Sequence, residues 1–252
     1  MNLLELANLR KQFGELVAVD DISLAVKEGE IRGLIGPNGS GKTTLFNLIT
    51  GFIRPTRGKV VWQGHDITNQ SPDVLAKKGI ARTFQLTTLF REMTALQNVV
   101  MASHLHTETG LFQQFLRTAG TREKEREIEE KAVGLLETMG IADVKDEIAG
   151  ELPHGHQRAL GIAIVLATEP RLLLLDEPVS GMNPTETRDM MDRIKMLRDR
   201  GITILVVEHD MRAVMNTCEK ITAMNFGEKI AEGTPEEISR HEQVIEAYLG
   251  RD

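Results

Sequence analysis

Gly36-Pro37-Asn38-Gly39-Ser40-Gly41-Lys42-Thr43 is the stretch on which the reading of this 252-residue chain turns. It fits the spacing G-x-x-x-x-G-K-[ST] of a phosphate-binding loop. Each part has a physical reason. Glycines allow backbone N–H groups to curl inward around phosphate oxygens, and the helix that follows adds positive potential at its N-terminus. Lys42 brings a full charge to the β- and γ-phosphates, and the Thr43 hydroxyl suits a Mg²⁺ ion. The flanks agree: Ile31–Ile35 runs apolar into the loop as a strand, and 42–50 turns helical until Gly51 stops it.

Outward from the loop, the chain alternates. Ile22, Leu24 and Val26 alternate with polar or small neighbours, and the first thirty-odd residues read as short strands; 59–62 reads as another. In 122–139 the residues Ile128, Ala132, Leu135, Leu136 and Met139 fall on one helical face, with Glu, Lys and Arg dense on the other. Residues 87–160 therefore read as a mainly helical insertion. Beyond it, 172–175 and 202–207 are apolar runs expected of buried parallel strands, with a helix over 184–197 between them. The expected fold is α/β: a nucleotide-binding core with a mainly parallel sheet over 1–86 and 161–252, an antiparallel β subdomain, and the helical subdomain.

Leu172-Leu173-Leu174-Leu175-Asp176-Glu177 is the partner of the loop. An apolar strand delivers two carboxylates at its C-terminal end, the edge where ligands bind in open α/β sheets. Asp176 is expected to hold Mg²⁺ and Glu177 to orient and deprotonate an attacking water.

Composition narrows the class. A formal charge of −7 disfavours nucleic acid as a partner. A lone cysteine, Cys218, excludes an internal disulfide framework and suits a reducing compartment. No apolar run reaches the ~20 residues a spanning helix needs, and the first residues lack the pattern of a signal peptide. A membrane role would have to come through a partner. No Asn-Lys-x-Asp guanine motif is present.

Further motifs complete an order. Gln85 follows Arg82-Thr83-Phe84, and His209 follows Ile204-Leu205-Val206-Val207-Glu208. Between them stands Leu152-Pro153-His154-Gly155-His156-Gln157-Arg158. Along its whole length this order resembles the ATP-binding-cassette ATPases. Gln85 matches their Q-loop, 152–156 their signature, 180–183 their D-loop and His209 their switch histidine. The resemblance implies roles: Gln85 touches Mg²⁺ and the lytic water, and His209 contacts the γ-phosphate. Phe13 stacks on adenine flanked by Ala18, and Gly36 to Lys42 with Thr43 and Thr44 cradles the phosphates. It also implies ATP and Mg²⁺ as cofactors and a head-to-tail pair of cassettes. In that pair Leu152, Pro153, His154, Gly155 and His156 face the partner's ATP. Two integral-membrane permeases and, indirectly, a solute-binding protein would complete the assembly at the cytoplasmic face of the inner membrane. Leu86, Leu89 and Phe90 are candidates for a permease groove or for core.

Within the family the chain resembles importer subunits for branched-chain amino acids. Three features carry this: Gly181-Met182-Asn183-Pro184, the long segment 103–150, and Gly233-Thr234-Pro235-Glu236-Glu237-Ile238 leading to Tyr248-Leu249-Gly250. Importers of urea, short amides or other hydrophobic amino acids would look similar, and a lipid or polysaccharide exporter or a cassette ATPase outside transport is the alternative. Two motifs depart from the family: in the signature Pro153 and His154 replace serine and glycine, and in the D-loop Asn183 replaces aspartate.

Overall fold

A computed structural model describes residues 1–83, 89–106 and 119–249. Two twelve-residue strands, β1 (Asn2–Phe13) and β2 (Leu16–Lys27), open the chain; β3 (Ile31–Ile35) then delivers the phosphate loop to α1 (Lys42–Ile49). Next come β4 (Arg57–Trp62), β5 (His65–Asp66), α2 (Pro72–Lys77) and β6 (Ile80–Arg82). The helices α3 (Ala95–His106), α4 (Ala119–Thr138) and α5 (His154–Leu166) follow. The chain closes through β7 (Leu172–Asp176), α6 (Pro184–Asp199), β8 (Thr203–Val207), α7 (Met211–Thr217), β9 (Lys220–Asn225), β10 (Glu228–Gly233), α8 (Pro235–Ser239) and α9 (Glu242–Leu249).

The strands form two sheets. One is antiparallel with order β2-β1-β4-β5; the other has order β10-β9-β3-β8-β7-β6. In the second, β9, β3, β8, β7 and β6 run parallel and β10 closes the edge antiparallel to β9. Parallel strands covered on both faces must be apolar throughout, which is why β7 and β8 read as unbroken runs. The alternation is hidden inside them. Leu172 and Leu174 join one core with α1 and the antiparallel sheet, whereas Leu173 and Leu175 join the other with α4, α5 and α6. All four are fully buried, and each contributes about 1.5–3 kcal/mol by leaving water. Leu173→Ala would open a cavity costing about 2–5 kcal/mol.

The first two strands are long, not short. β1 and β2 pair across register shifts, with Asn8 and Asp21 at positive φ. These bulges interrupt the period-2 pattern from which strand length is judged. α4 buries Ala132 and Leu136, with Met139 buried just past its end, and exposes Glu125, Arg126 and Glu129, as its amphipathic spacing requires. α1 stops where Gly51 turns to φ +74°, a site at which a Cβ would lie 2.4 Å from the Gln70 carbonyl.

Candidate functional site

The phosphate loop leaves β3 at the C-terminal edge of the parallel strands. Gly36 and Gly41 have φ of +153° and +101°, and a Cβ at either would strike backbone, Met224 O at 2.2 Å and Ala18 O at 2.4 Å. Only glycine lets the loop press this closely on β9 and β2. Ser40 is buried; its carbonyl accepts from Gly227 N at 3.1 Å, and the Gly41 carbonyl accepts the helical bond from Leu45 N at 2.9 Å. Lys42 Nζ donates to Gly36 O at 2.7 Å, Pro37 O at 2.9 Å and Ser40 Oγ at 3.4 Å. Burial lowers its pKa, and the charges of Glu177 and Asp176 oppose that shift. The lysine therefore spans its own loop, facing the two carboxylates.

Those carboxylates stand on the neighbouring strand but one. Asp176 ends β7 paired with Val207 of β8, and Glu177 N extends the ladder by donating to Val207 O at 2.9 Å. Glu177 then adopts φ +50°, which costs a non-glycine residue of order 1–3 kcal/mol and persists only where its surroundings enforce it. The turn aims its side chain at His209, with Oε1 and Nδ1 3.9 Å apart. That gap is beyond a hydrogen bond, and it leaves both groups free to engage a ligand. Buried Glu208 fixes the corner: Oε1 accepts from Val179 N at 2.9 Å and Oε2 from His209 N at 3.2 Å. Burial raises the pKa of Glu208 against those two bonds.

The adenine-side candidates are also near the loop. Phe13 ends β1, 47% exposed, with Lys11 Nζ 4.8 Å from its ring centroid; it is not a core aromatic. The Ala18 carbonyl lies against Gly41 and Gly227. Thr43 is exposed and Thr44 half-buried in the first turn of α1. Gln85 and Leu86 lie outside the described residues. Leu89 packs on the core, and Phe90 is exposed.

The signature segment stands at the start of α5. Leu152 is buried, Pro153 occupies the N-cap with φ −52° and ψ 149°, and the helix starts at His154. Gln157 N makes the first helical bond, to Pro153 O at 3.0 Å. The N–H groups of His154, Gly155 and His156 thus precede the intrahelical ladder and are available to an anion. Gln157 Nε2 donates to Leu152 O at 2.8 Å and holds the bend. A Cβ at Gly181 would lie 3.5 Å from the His154 ring, so the helix start packs on the loop after Glu177. Asn183 caps α6 in a capping box: Oδ1 accepts from Thr185 N and Glu186 N, while Glu186 Oε2 accepts from Asn183 N. The residue that departs from the family's aspartate therefore has a local task.

Three residues of the site, Arg82, Asn47 and Tyr248, were given no role there by the sequence. Arg82 Nη2 donates to Asp176 Oδ2 and Nη1 to Asn47 Oδ1, both at 2.6 Å. Tyr248 accepts from Gly36 N at 2.8 Å. An arginine ending a short strand beside the carboxylate strand was the one available clue, and it needs the sheet order to be read.

The described residues place a phosphate loop, two strand-end carboxylates and a histidine at one sheet edge, with a separate anion-ready helix start. The chain is similar to known proteins along its length. The ABC transporter family matches residues 19–180, and the branched-chain amino acid ATP-binding cassette transporter family matches residues 228–252. BraF of Pseudomonas aeruginosa, a high-affinity branched-chain amino acid transport ATP-binding protein, is 43% identical over 98% of each chain. LivG of Escherichia coli, of the same description, is 41% identical over 98% of each chain. A crystal structure of an ATP-binding cassette of an ABC transporter, in its ADP conformation, superposes with a TM-score of 0.88 at 36% identity and full coverage of both chains. The chain belongs to the ABC transporter family, as one of its ATP-hydrolysing cassettes.

Proposed function

We propose that this chain powers an importer of branched-chain amino acids. The observation that carries the reading is the joint match of the cassette and of residues 228–252 to proteins of that description. Lys42 and the N–H groups of the loop would hold the ATP phosphates, and Phe13 and Ala18 the adenine. Glu177 would orient and deprotonate water, with His209 on the γ-phosphate and Gln85 linking the site to the helical segment 87–160. The oxygen donors of Thr43 and Asp176 are hard ligands of the kind Mg²⁺ takes. Bound there, Mg²⁺ would neutralise phosphate charge.

One chain would supply only half of each proposed ATP site, with the N-terminus of α5 serving the partner's nucleotide and not its own. A second cassette, identical or related, would complete it. Among the described residues no helix is long and apolar enough to cross a membrane, so two permease subunits would supply the path. A cleft of about 490 Å³ between the core and the helical segment, lined by Phe52, Ala76, Ile80, Ala102 and Val165, fits an apolar helix end from a permease. In this reading the chain would work at the cytoplasmic face of the membrane, with a solute-binding protein acting through the permeases.

The test is ATPase activity of the chain reconstituted with its permeases in vesicles. Binding protein loaded with leucine, isoleucine or valine should raise turnover severalfold. Stimulation by urea or a short amide instead, with none by the three amino acids, would replace the solute and keep the cassette.

A further inference from the structure

We propose that Tyr248 is a positioning residue for the phosphate loop, so that docking of the C-terminal helix sets the chain's affinity for nucleotide. The last pair between β3 and β9 is Ile35 with Ala223. At the next residue, Gly36, the chain leaves the sheet, and its N–H donates to the Tyr248 hydroxyl at 2.8 Å, across 212 residues of sequence. The carbonyl of the same glycine accepts from Lys42 Nζ at 2.7 Å. Two peptide planes therefore meet at Gly36, one held by Tyr248 and the other by the loop lysine. Pro37 follows and has no N–H of its own, so Tyr248 is the hydroxyl anchor at the root of the loop.

The helix that carries Tyr248 is docked, not dangling. Val244 of α9 is buried in the core. Gln243, Glu246 and Ala247 line a cleft of about 750 Å³ together with loop residues 37–40 and the β9–β10 turn at Phe226. The ring is 38% exposed, but the partial burial of the phenol raises its pKa, so the group stays a neutral hydroxyl at physiological pH and can accept the N–H. When phosphate draws Lys42 away from Gly36 O and Pro37 O, one of the two restraints on Gly36 is released. Tyr248 then keeps the root of the loop in place while the N–H groups beyond it meet the ligand. That restraint is equal in the ground and transition states, so its loss appears in KM and not in kcat. Anything that lifts α9 would weaken nucleotide binding in the same way.

The inference rests on Gly36–Thr43 being the nucleotide-phosphate site, and not on the solute transported. Its test is Tyr248→Phe, which keeps the ring and removes the hydroxyl. Calorimetry should show ATP and ADP dissociation constants raised about fivefold, the loss expected for one hydrogen bond. KM should rise in proportion, with kcat within about twofold and the melting temperature little changed. Unchanged affinity, or a lower melting temperature with unchanged affinity, would overturn the proposal. Lys42→Ala serves as the control: wild-type ATP affinity there would sink the loop reading itself. Tyr248 is the chain's only tyrosine, so fluorotyrosine incorporation gives a single ¹⁹F resonance that reports on α9 in the otherwise native chain. It should shift on saturating ATP. A resonance that stays in place would overturn the coupling even if Tyr248→Phe failed to fold.

Discussion

Arg82 Nη2 lies 2.6 Å from Asp176 Oδ2, in a pair whose side chains are only 6% and 9% exposed. The guanidinium is bracketed by Asn47 Oδ1 and the Phe46 ring, 5.3 Å from its centroid. A carboxylate this deep is costly without a positive partner, and the arginine supplies one. We expect Arg82→Ala to destabilise the nucleotide-free chain by about 3–5 kcal/mol, since it leaves a buried charge uncompensated. Mg-ATP should then stabilise the variant more than the wild type, because Mg²⁺ would meet an unpaired Asp176. Denaturant unfolding with and without Mg-ATP measures both. Equal stabilisation of the two proteins would mean that Arg82 does not occupy the place of the cation.

Much of the fold was legible because its strongest signals are local. The apolar runs ending in Asp176 and Val207 are buried strands, and the α1, α4 and α6 helices lie where periodicity placed them. The length of β1 and β2 was obscured by bulges at Asn8 and Asp21, since one inserted residue reverses the alternation. Contacts across the sheet were hidden for a different reason. Arg82 meets Asp176 only because β6 pairs with β7, and Tyr248 meets Gly36 only because α9 returns to the loop; no local pattern encodes either meeting. The Asn183 cap was local but masked by a motif comparison that asked for aspartate, although Asn is among the best N-cap residues.

Glu177 and Lys42 face each other across the site and should fail differently. Glu177→Gln keeps the size and hydrogen-bonding ability of the side chain but removes its basicity. ATP affinity should persist while turnover falls by a hundredfold or more, on the order of a lost general base. The variant should accumulate as an ATP-bound dimer. Lys42→Ala removes a charge-assisted contact and should weaken ATP binding itself. Calorimetry and size-exclusion with ATP distinguish them; a comparable loss of affinity in both would refute the division of roles.

Glu232 on β10 anchors the far edge of the parallel sheet. Burial would raise its pKa, but hydrogen bonds from Lys220, Lys229 and Arg32 prevail and lower it to about 2. Nζ of Lys220 is 2.7 Å from the carboxylate, Nζ of Lys229 2.9 Å, and Nη1 of the buried Arg32 3.1 Å. A carboxylate depressed on folding stabilises above its unfolded pKa, 4.5 here, and that stability is lost as pH falls toward about 2. The linkage is worth on the order of 3 kcal/mol at neutral pH. Glu232→Gln should therefore lower stability at pH 7, and the gap to the wild type should narrow between pH 4.5 and pH 2. A gap independent of pH over that interval would show that the carboxylate's charge is not what stabilises this edge.

Pro153 sets the last expectation. It occupies the N-cap of α5 with no side-chain cap, so the helix presents the N–H groups of His154, Gly155 and His156 without a hydroxyl beside them. Proline lacks both the hydroxyl and the N–H with which a serine would meet a phosphate. A serine there could accept from its own helix, worth about 0.5–2 kcal/mol of stability. It could at the same time donate to the partner's γ-phosphate, worth about 1.5–3 kcal/mol as a charge-assisted contact. Pro153→Ser should thus raise the melting temperature of the isolated chain modestly. In a dimer with a second cassette it should tighten or speed only the site built on that partner's phosphate loop. Turnover measured in the reconstituted transporter, with Lys42→Ala in this chain silencing the other site, isolates that effect. A gain of about tenfold or more at that site alone is expected, the rate equivalent of the weaker estimate. No gain would mean that the three backbone donors and the helix dipole already make the proline-bearing site fully competent, and the two ATP sites would then be functionally equal.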